Sequence, residues 1–222
     1  MAFSMFKSCT TLALTSLFLT SAAAPTARQA PNYAPTAQSD TFKVIANVTG
    51  TDLPQSVNGW ALTSYHLSAG SGYAVLVDPT TPSRDFYING TASEVRFNSA
   101  TVVSDGGSPP FPWGMVVNSP ANTVSIKAGM GEQGLGLTIF PDPVPKLHGP
   151  ASAGWYACEA ALPSGDAVQL FSMPLGDTAP AGCAQVTLLP QCTEGDGVEH
   201  PFANTVNCYP DVAGIDWTVY SA

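Results

Sequence analysis

Gly154-Trp155-Tyr156-Ala157-Cys158-Glu159 runs into the turn Leu162-Pro163-Ser164-Gly165-Asp166, and the apolar run Ala167-Val168-Gln169-Leu170-Phe171 comes back from it. Two such runs joined by a Pro-Ser-Gly-Asp turn spell a β-hairpin. A third run, Cys183-Ala184-Gln185-Val186-Thr187-Leu188, comes after it. Read as a neighbouring strand, it brings Cys183 close enough to Cys158 to be tied. This gives a stapled β core that bears aromatic residues, and no reaction.

Upstream, from Thr41, the chain is a series of short apolar runs. Phe42, Val44, Ala46 and Val48 alternate; Trp60, Leu62, Tyr65 and Leu67 fall in the next run; residues 73–77 are apolar up to the Asp78-Pro79 turn. Phe86-Tyr87-Ile88 and Val95-Arg96-Phe97 flank Asn89-Gly90-Thr91 and read as a hairpin. Further runs lie at residues 101–103, 115–117, 124–127 and 135–140, with Pro and Gly clusters between them. No helical period lasts twelve residues with a cap and a stop. Short strands at regular spacing predict an all-β chain, a single-domain antiparallel β-sandwich or barrel.

The ends read differently. Residues 1–24 carry Lys7, an Ala/Leu-rich run and a small-residue finish, Ser21-Ala22-Ala23-Ala24, which is the pattern of a secretory signal peptide. Residues 25–40 are rich in Pro, Ala, Thr and Gln and read as a disordered leader, with Arg28 a candidate processing site. The β domain is assigned to residues 41–190, and residues 191–222 to an acidic, disulfide-closed C-terminal extension.

The chain of 222 residues has a net charge of −9 and only 10% charged residues. No Lys or Arg lies beyond Lys146, whereas eight carboxylates do. Such a surface repels phosphate backbones and anionic headgroups, so neither nucleic acid nor a membrane is an expected partner. No second apolar run reaches bilayer-spanning length. The protein is expected to be secreted, extracellular or in the cell wall, and monomeric.

Removing Cys9 with the signal leaves Cys158, Cys183, Cys192 and Cys208. Four cysteines in a secreted chain allow three connectivities, of which the sequence-local one, 158 with 183 and 192 with 208, is preferred. A zinc site lacks any Cys-x-x-Cys pair. Asn47-Val48-Thr49 and Asn89-Gly90-Thr91 are glycosylation sequons.

Other motifs resolve to structure. Gly129-Met130-Gly131-Glu132-Gln133-Gly134 has the glycine pattern of a dinucleotide loop. It leads, however, into Leu135-Gly136-Leu137-Thr138-Ile139-Phe140, a strand-like run rather than the helix that a pyrophosphate needs. These glycines are therefore read as turns or bulges, and no cofactor is expected. The acidic run from Glu194 to His200 lacks the spacing of a calcium loop, and no metal ligands are assigned. His66, near Ser68 and Ser71, lacks a nucleophile elbow. Trp113, Trp155 and Tyr156, beside glycines and prolines, are either core anchors or sugar-stacking rings.

Tyr65-His66-Leu67-Ser68-Ala69-Gly70, Phe86-Tyr87-Ile88-Asn89-Gly90-Thr91, Phe111-Pro112-Trp113-Gly114-Met115, Ile126-Lys127-Ala128-Gly129 and Gly154-Trp155-Tyr156-Ala157-Cys158 form an ordered set of short motifs. With Gln169-Leu170-Phe171 and Cys183, they resemble a family of small secreted fungal proteins carrying a domain of unknown function. The resemblance covers residues 41–190. It implies an extracellular fungal protein with Cys158 paired to Cys183, and it brings no catalytic residues. The leading expectation is a non-enzymatic secreted protein whose partner is a cell-wall polysaccharide or a host extracellular protein. The alternatives are a carbohydrate-binding module using Trp113, Trp155 or Tyr156, and a hydrolase centred on His66.

Overall fold

The computed structural model describes residues 32–139, 142–150, 152–195 and 197–220. The signal peptide, Cys9, Arg28 and the first part of the leader lie outside the described residues. The strands are β1 (Ala37–Ser39), β2 (Thr41–Val48), β3 (Ala61–Ser68), β4 (Ser71–Val77), β5 (Phe86–Asn89), β6 (Thr101–Gly106), β7 (Phe111–Asn118) and β8 (Thr123–Ala128). The chain continues through β9 (Gly136–Leu137), β10 (Leu147–His148), β11 (Ser152–Leu162), β12 (Gly165–Pro174), β13 (Cys183–Thr193), β14 (Ala203–Asn204) and β15 (Val206–Cys208). One short helix, α1 (Ala92–Arg96), lies between β5 and β6.

The ladders between these strands are antiparallel, and they close on themselves. One circuit runs β11-β13-β2-β3-β4-β12 and returns to β11. A second leaves β2 for β5 and passes through β6, β7 and β8 to reach β4 and β12. The expected sandwich or barrel is therefore a barrel, the architecture that leaves no unpaired sheet edge along its wall. Inward side chains alternate as the period-2 pattern demands: Phe42, Val44 and Ala46 from β2, Leu62 from β3, Ala74 and Leu76 from β4, Trp155 and Ala157 from β11 all join one buried cluster.

The hairpin is in register from Ala157↔Leu170 to Leu162↔Gly165, with Pro163-Ser164 at its tip. On the other edge of β11, Cys158 lies directly opposite Cys183, and the two are bonded. Cys192 is bonded to Cys208. The sequence-local connectivity is thus the one present.

Four expectations are corrected. Residues 95–97 are not a strand: Thr91 caps α1, accepting from Glu94 N through Oγ1 at 3.3 Å, while Thr91 N donates to Glu94 Oε2 at 2.6 Å. This reciprocal capping box makes Thr-Ala-Ser-Glu a helix start, and β5 pairs instead with β6. The run 135–140 shrinks to the two residues of β9. Residues 34–39, expected within a disordered leader, are ordered: Ala34 is buried and Ala37 pairs with Cys208.

Nor is the tail an appendage that begins at residue 191. β13 pairs with β2 as far as Thr193↔Thr41, and the tail then packs on the outer wall of the barrel. There Tyr209 and Val212 join Ile45, Ala61 and Leu189 in a second buried cluster, with Trp217 edge-on to Tyr209. Tyr209 donates its hydroxyl to Pro145 O at 3.1 Å.

The glycine-rich loop packs against β7. Glu132 N donates to Met115 O at 2.8 Å, and Glu132 Oε2 accepts from Val117 N at 2.7 Å, so the loop covers the stretch of β7 beyond the reach of β6. Backbone meets backbone there: a Cβ on Gly114 would lie 2.0 Å from Gly131 N. Gly131, at φ +82°, sits in the left-handed region that glycine favours.

Three outcomes are expected. Gly114→Ala forces the loop off β7 and lowers stability by roughly 2–4 kcal/mol in urea unfolding. Cys192→Ser with Cys208→Ser lowers it by about 3 kcal/mol while leaving far-ultraviolet circular dichroism unchanged. His148 is half-buried, and burial lowers its pKa, opposed by a backbone hydrogen bond at Gly149. The unfolded chain therefore takes up that proton first, so this contribution is full above the unfolded-state value of about 6.5 and is lost as pH falls below it. Thermal melts at stepped pH should show His148→Gln flatter than wild type between neutral and acid.

Candidate functional site

The residues singled out in the sequence do not converge. Trp155 is buried, its Nε1 donating to Leu147 O at 2.9 Å, which removes it as a sugar-stacking ring. Trp113 is half-buried and has the Arg84 guanidinium 5.4 Å from its ring centroid. Tyr156 stacks on Phe171, its partner across the hairpin, with centroids 5.1 Å apart and rings 5° from parallel. His66 and Ser68 are exposed on β3, and Ser71 opens β4 opposite Ser68. Among the described residues no carboxylate pairs with the His66 ring. Asn47 sits on the face of β2 opposite its core-facing residues. Asn89 ends β5 and faces away from the core, like Tyr87.

What the fold does bring together was missed, because it joins the tail to β5, β6 and the loop before β5. His200 stacks on Tyr87 at 4.0 Å between centroids, with its Nε2 3.3 Å from Asp105 Oδ2. From behind, Arg84 Nη1 donates to Asp105 O at 2.6 Å and to Ser104 Oγ at 3.3 Å, and its Nε donates to Ser64 Oγ at 3.1 Å. The tail is held at this place by backbone: Gly90 N donates to Phe202 O at 3.0 Å, and β14 pairs with β5.

The electrostatics derive from this packing. Burial, and then the Asp105 charge, push the Tyr87 phenol up to about 12, so its hydroxyl stays a donor at any physiological pH. Desolvation lowers the Arg84 pKa, and Asp105 pulls it back. Tyr87, Asp105 and His200 floor a hollow of about 270 Å³, to which Asn89 and Glu199 add polar groups.

Around that floor the rim is apolar. Pro110, Pro112, Met130, Val198 and Phe202 line it, whereas Phe111, between the two prolines in sequence, is exposed outside the lining. Phe111, Met130 and Phe202 are 52%, 47% and 60% exposed. Large apolar side chains gathered round a few fixed polar groups are the makings of a binding surface. The polar groups of the lining are Tyr87, Asn89, Asp105, Glu199 and His200, and the Tyr87 hydroxyl keeps its proton. Among the described residues no group of three or more His, Cys, Asp or Glu side chains is placed to hold a metal ion. In the sequence His200 and Phe202 read only as part of an acidic loop; the histidine and aromatic beside Pro201 were the available signal.

Residues 39–192 match the family described as Domain of unknown function (DUF7907). The chain is 31% identical to Antigenic protein SchS34 of Stachybotrys chartarum, over 86% of this chain and 95% of that protein. No solved structure matches it. His200 and Phe202 lie outside the residues that the family match covers. On the extent of both matches, the chain belongs to the DUF7907 family, an uncharacterised family with a fungal relative.

Proposed function

We propose that this protein is a secreted, non-enzymatic extracellular protein of a fungus that acts by binding a partner protein outside the cell. The observation that carries the reading is the exposed pair Met130 and Phe202 at the rim of the hollow floored by Tyr87, Asp105 and His200. Aromatic and methionine side chains in an exposed cluster are the composition of interface hot spots. Two disulfides and a relative named as an antigen support an extracellular setting. The partner reading is favoured over the sugar reading at Trp113, Trp155 and Tyr156, since each of those rings is buried or covered by another side chain.

In culture, the protein is expected in the medium with its N-terminus beyond residue 24 and with no free thiol. Immobilised, it should retain extracellular proteins that Met130→Asp and Phe202→Asp variants of unchanged circular dichroism do not. Panels of ester, peptide and glycoside substrates should show no turnover by wild type or by His66→Ala. Turnover lost in His66→Ala, or retention indifferent to the rim variants, would overturn the reading.

A further inference from the structure

Apart from that surface, a larger cleft lies between the β3–β4 pair and the β11–β12 hairpin. The hairpin runs past the start of β13, and its tip folds over β3: Ser164 N donates to the Tyr65 hydroxyl. The space left between has a volume of about 740 Å³, within the range of small-molecule sites. Two aromatic rings line it, Trp60 and Tyr65, both partly exposed. Trp60 packs one side against the barrel core, yet among the described residues its indole N–H has no hydrogen-bond partner. A tryptophan whose N–H is left open at a cleft is a donor waiting for an acceptor from outside.

Charge then narrows the ligand. Asp78, Glu159 and Asp166 also line the cleft, and no Lys or Arg does. Asp78 is engaged by Thr80 and Thr81, whereas the carboxylates of Glu159 and Asp166 have no hydrogen-bond or ion-pair partner among the described residues. Both are exposed and solvated, and a neutral sugar would gain nothing from their charge. A phosphorylated or sulfated one would be repelled. An amino sugar meets all the requirements: a flat C–H face for the rings, hydroxyls for the indole N–H and the neutral side chains Gln55, Thr63 and Ser64, and ammonium groups for the carboxylates.

We propose that the cleft between β3 and the β11–β12 hairpin binds a short chain of unacetylated amino sugars, with Trp60 and Tyr65 as the stacking wall and Glu159 and Asp166 as the counter-charges. The site stands apart from the Met130/Phe202 rim and does not depend on it.

The test is titration calorimetry of the secreted protein with three probes: a β-1,4-linked glucosamine tetramer, its fully N-acetylated counterpart, and spermine. The glucosamine tetramer should bind at least about tenfold more tightly than the acetylated one, the order expected when an ion pair is lost at a partly shielded site. Glu159→Gln with Asp166→Asn should weaken it by a similar factor, and raising the salt should do likewise. Trp60→Ala should abolish binding; should it fail to fold, Trp60→Phe, which keeps a ring but not the N–H, should weaken binding severalfold. Phe202→Asp should leave it unchanged. Equal binding of the two tetramers, no binding of the glucosamine tetramer, or binding of spermine as tight as the tetramer would overturn the assignment. Loss of tetramer binding in Phe202→Asp would overturn the independence of the two sites.

Discussion

Strand β2 is the member on which both closed circuits depend. One edge pairs with β13 over eight residue positions, from Thr41↔Thr193 to Val48↔Val186. The other edge is shared, with Phe42 opposite Phe86 of β5 and Ile45 opposite Ala61 of β3. A strand that serves three partners must satisfy its hydrogen bonds in one register only, because a one-residue slip would turn Phe42, Val44 and Ala46 out of the core and Lys43 into it. Its outer face is constrained too, since Ile45 is covered by Tyr209 and Val212 of the tail. Both the barrel and the layer outside it therefore take their alignment from the same eight residues.

The low charge content of the chain makes sense against this architecture. Few charged groups remain to be solvated, and those that are part-buried are answered locally: Arg84 by Ser64, Ser104 and the Asp105 carbonyl, and Asp105 by His200. Polar positions inside the sheet are filled by small groups such as Ser104 and Ser125, each hydrogen-bonded to a neighbouring strand. The surviving unpaired carboxylates are at the surface, where water bears the cost.

Much of the barrel was legible because its information is local. Alternation in β2, the Pro-Ser-Gly turn of the hairpin and the Cys158–Cys183 spacing each lie within a few residues or across one hairpin. The capping box at Thr91 was equally local, but five residues of helix carry too little apolar period to compete with the flanking strand pattern. Trp155 looked like a candidate ring because its neighbours are Gly and Tyr; its burial comes from strand parity with Ala157, which the sequence states only once the inward face is known. The His200 floor was not legible at all. It depends on where the tail returns, and that is set by β14 on β5, a pairing of distant segments that no short window contains.

The pairing of β2 with β13, and of β1 with β15, carries a consequence for biosynthesis. Synthesis delivers β2 long before Cys183, the first residue of its main partner, has been made, and β1 must wait for residues 206–208. The barrel can close only after most of the polypeptide has been synthesised, so its first half spends that interval with open strand edges. The ladders that close the wall are therefore the last to form. The bond between Cys192 and Cys208 marks its completion, since its second thiol emerges only after every strand of the barrel wall.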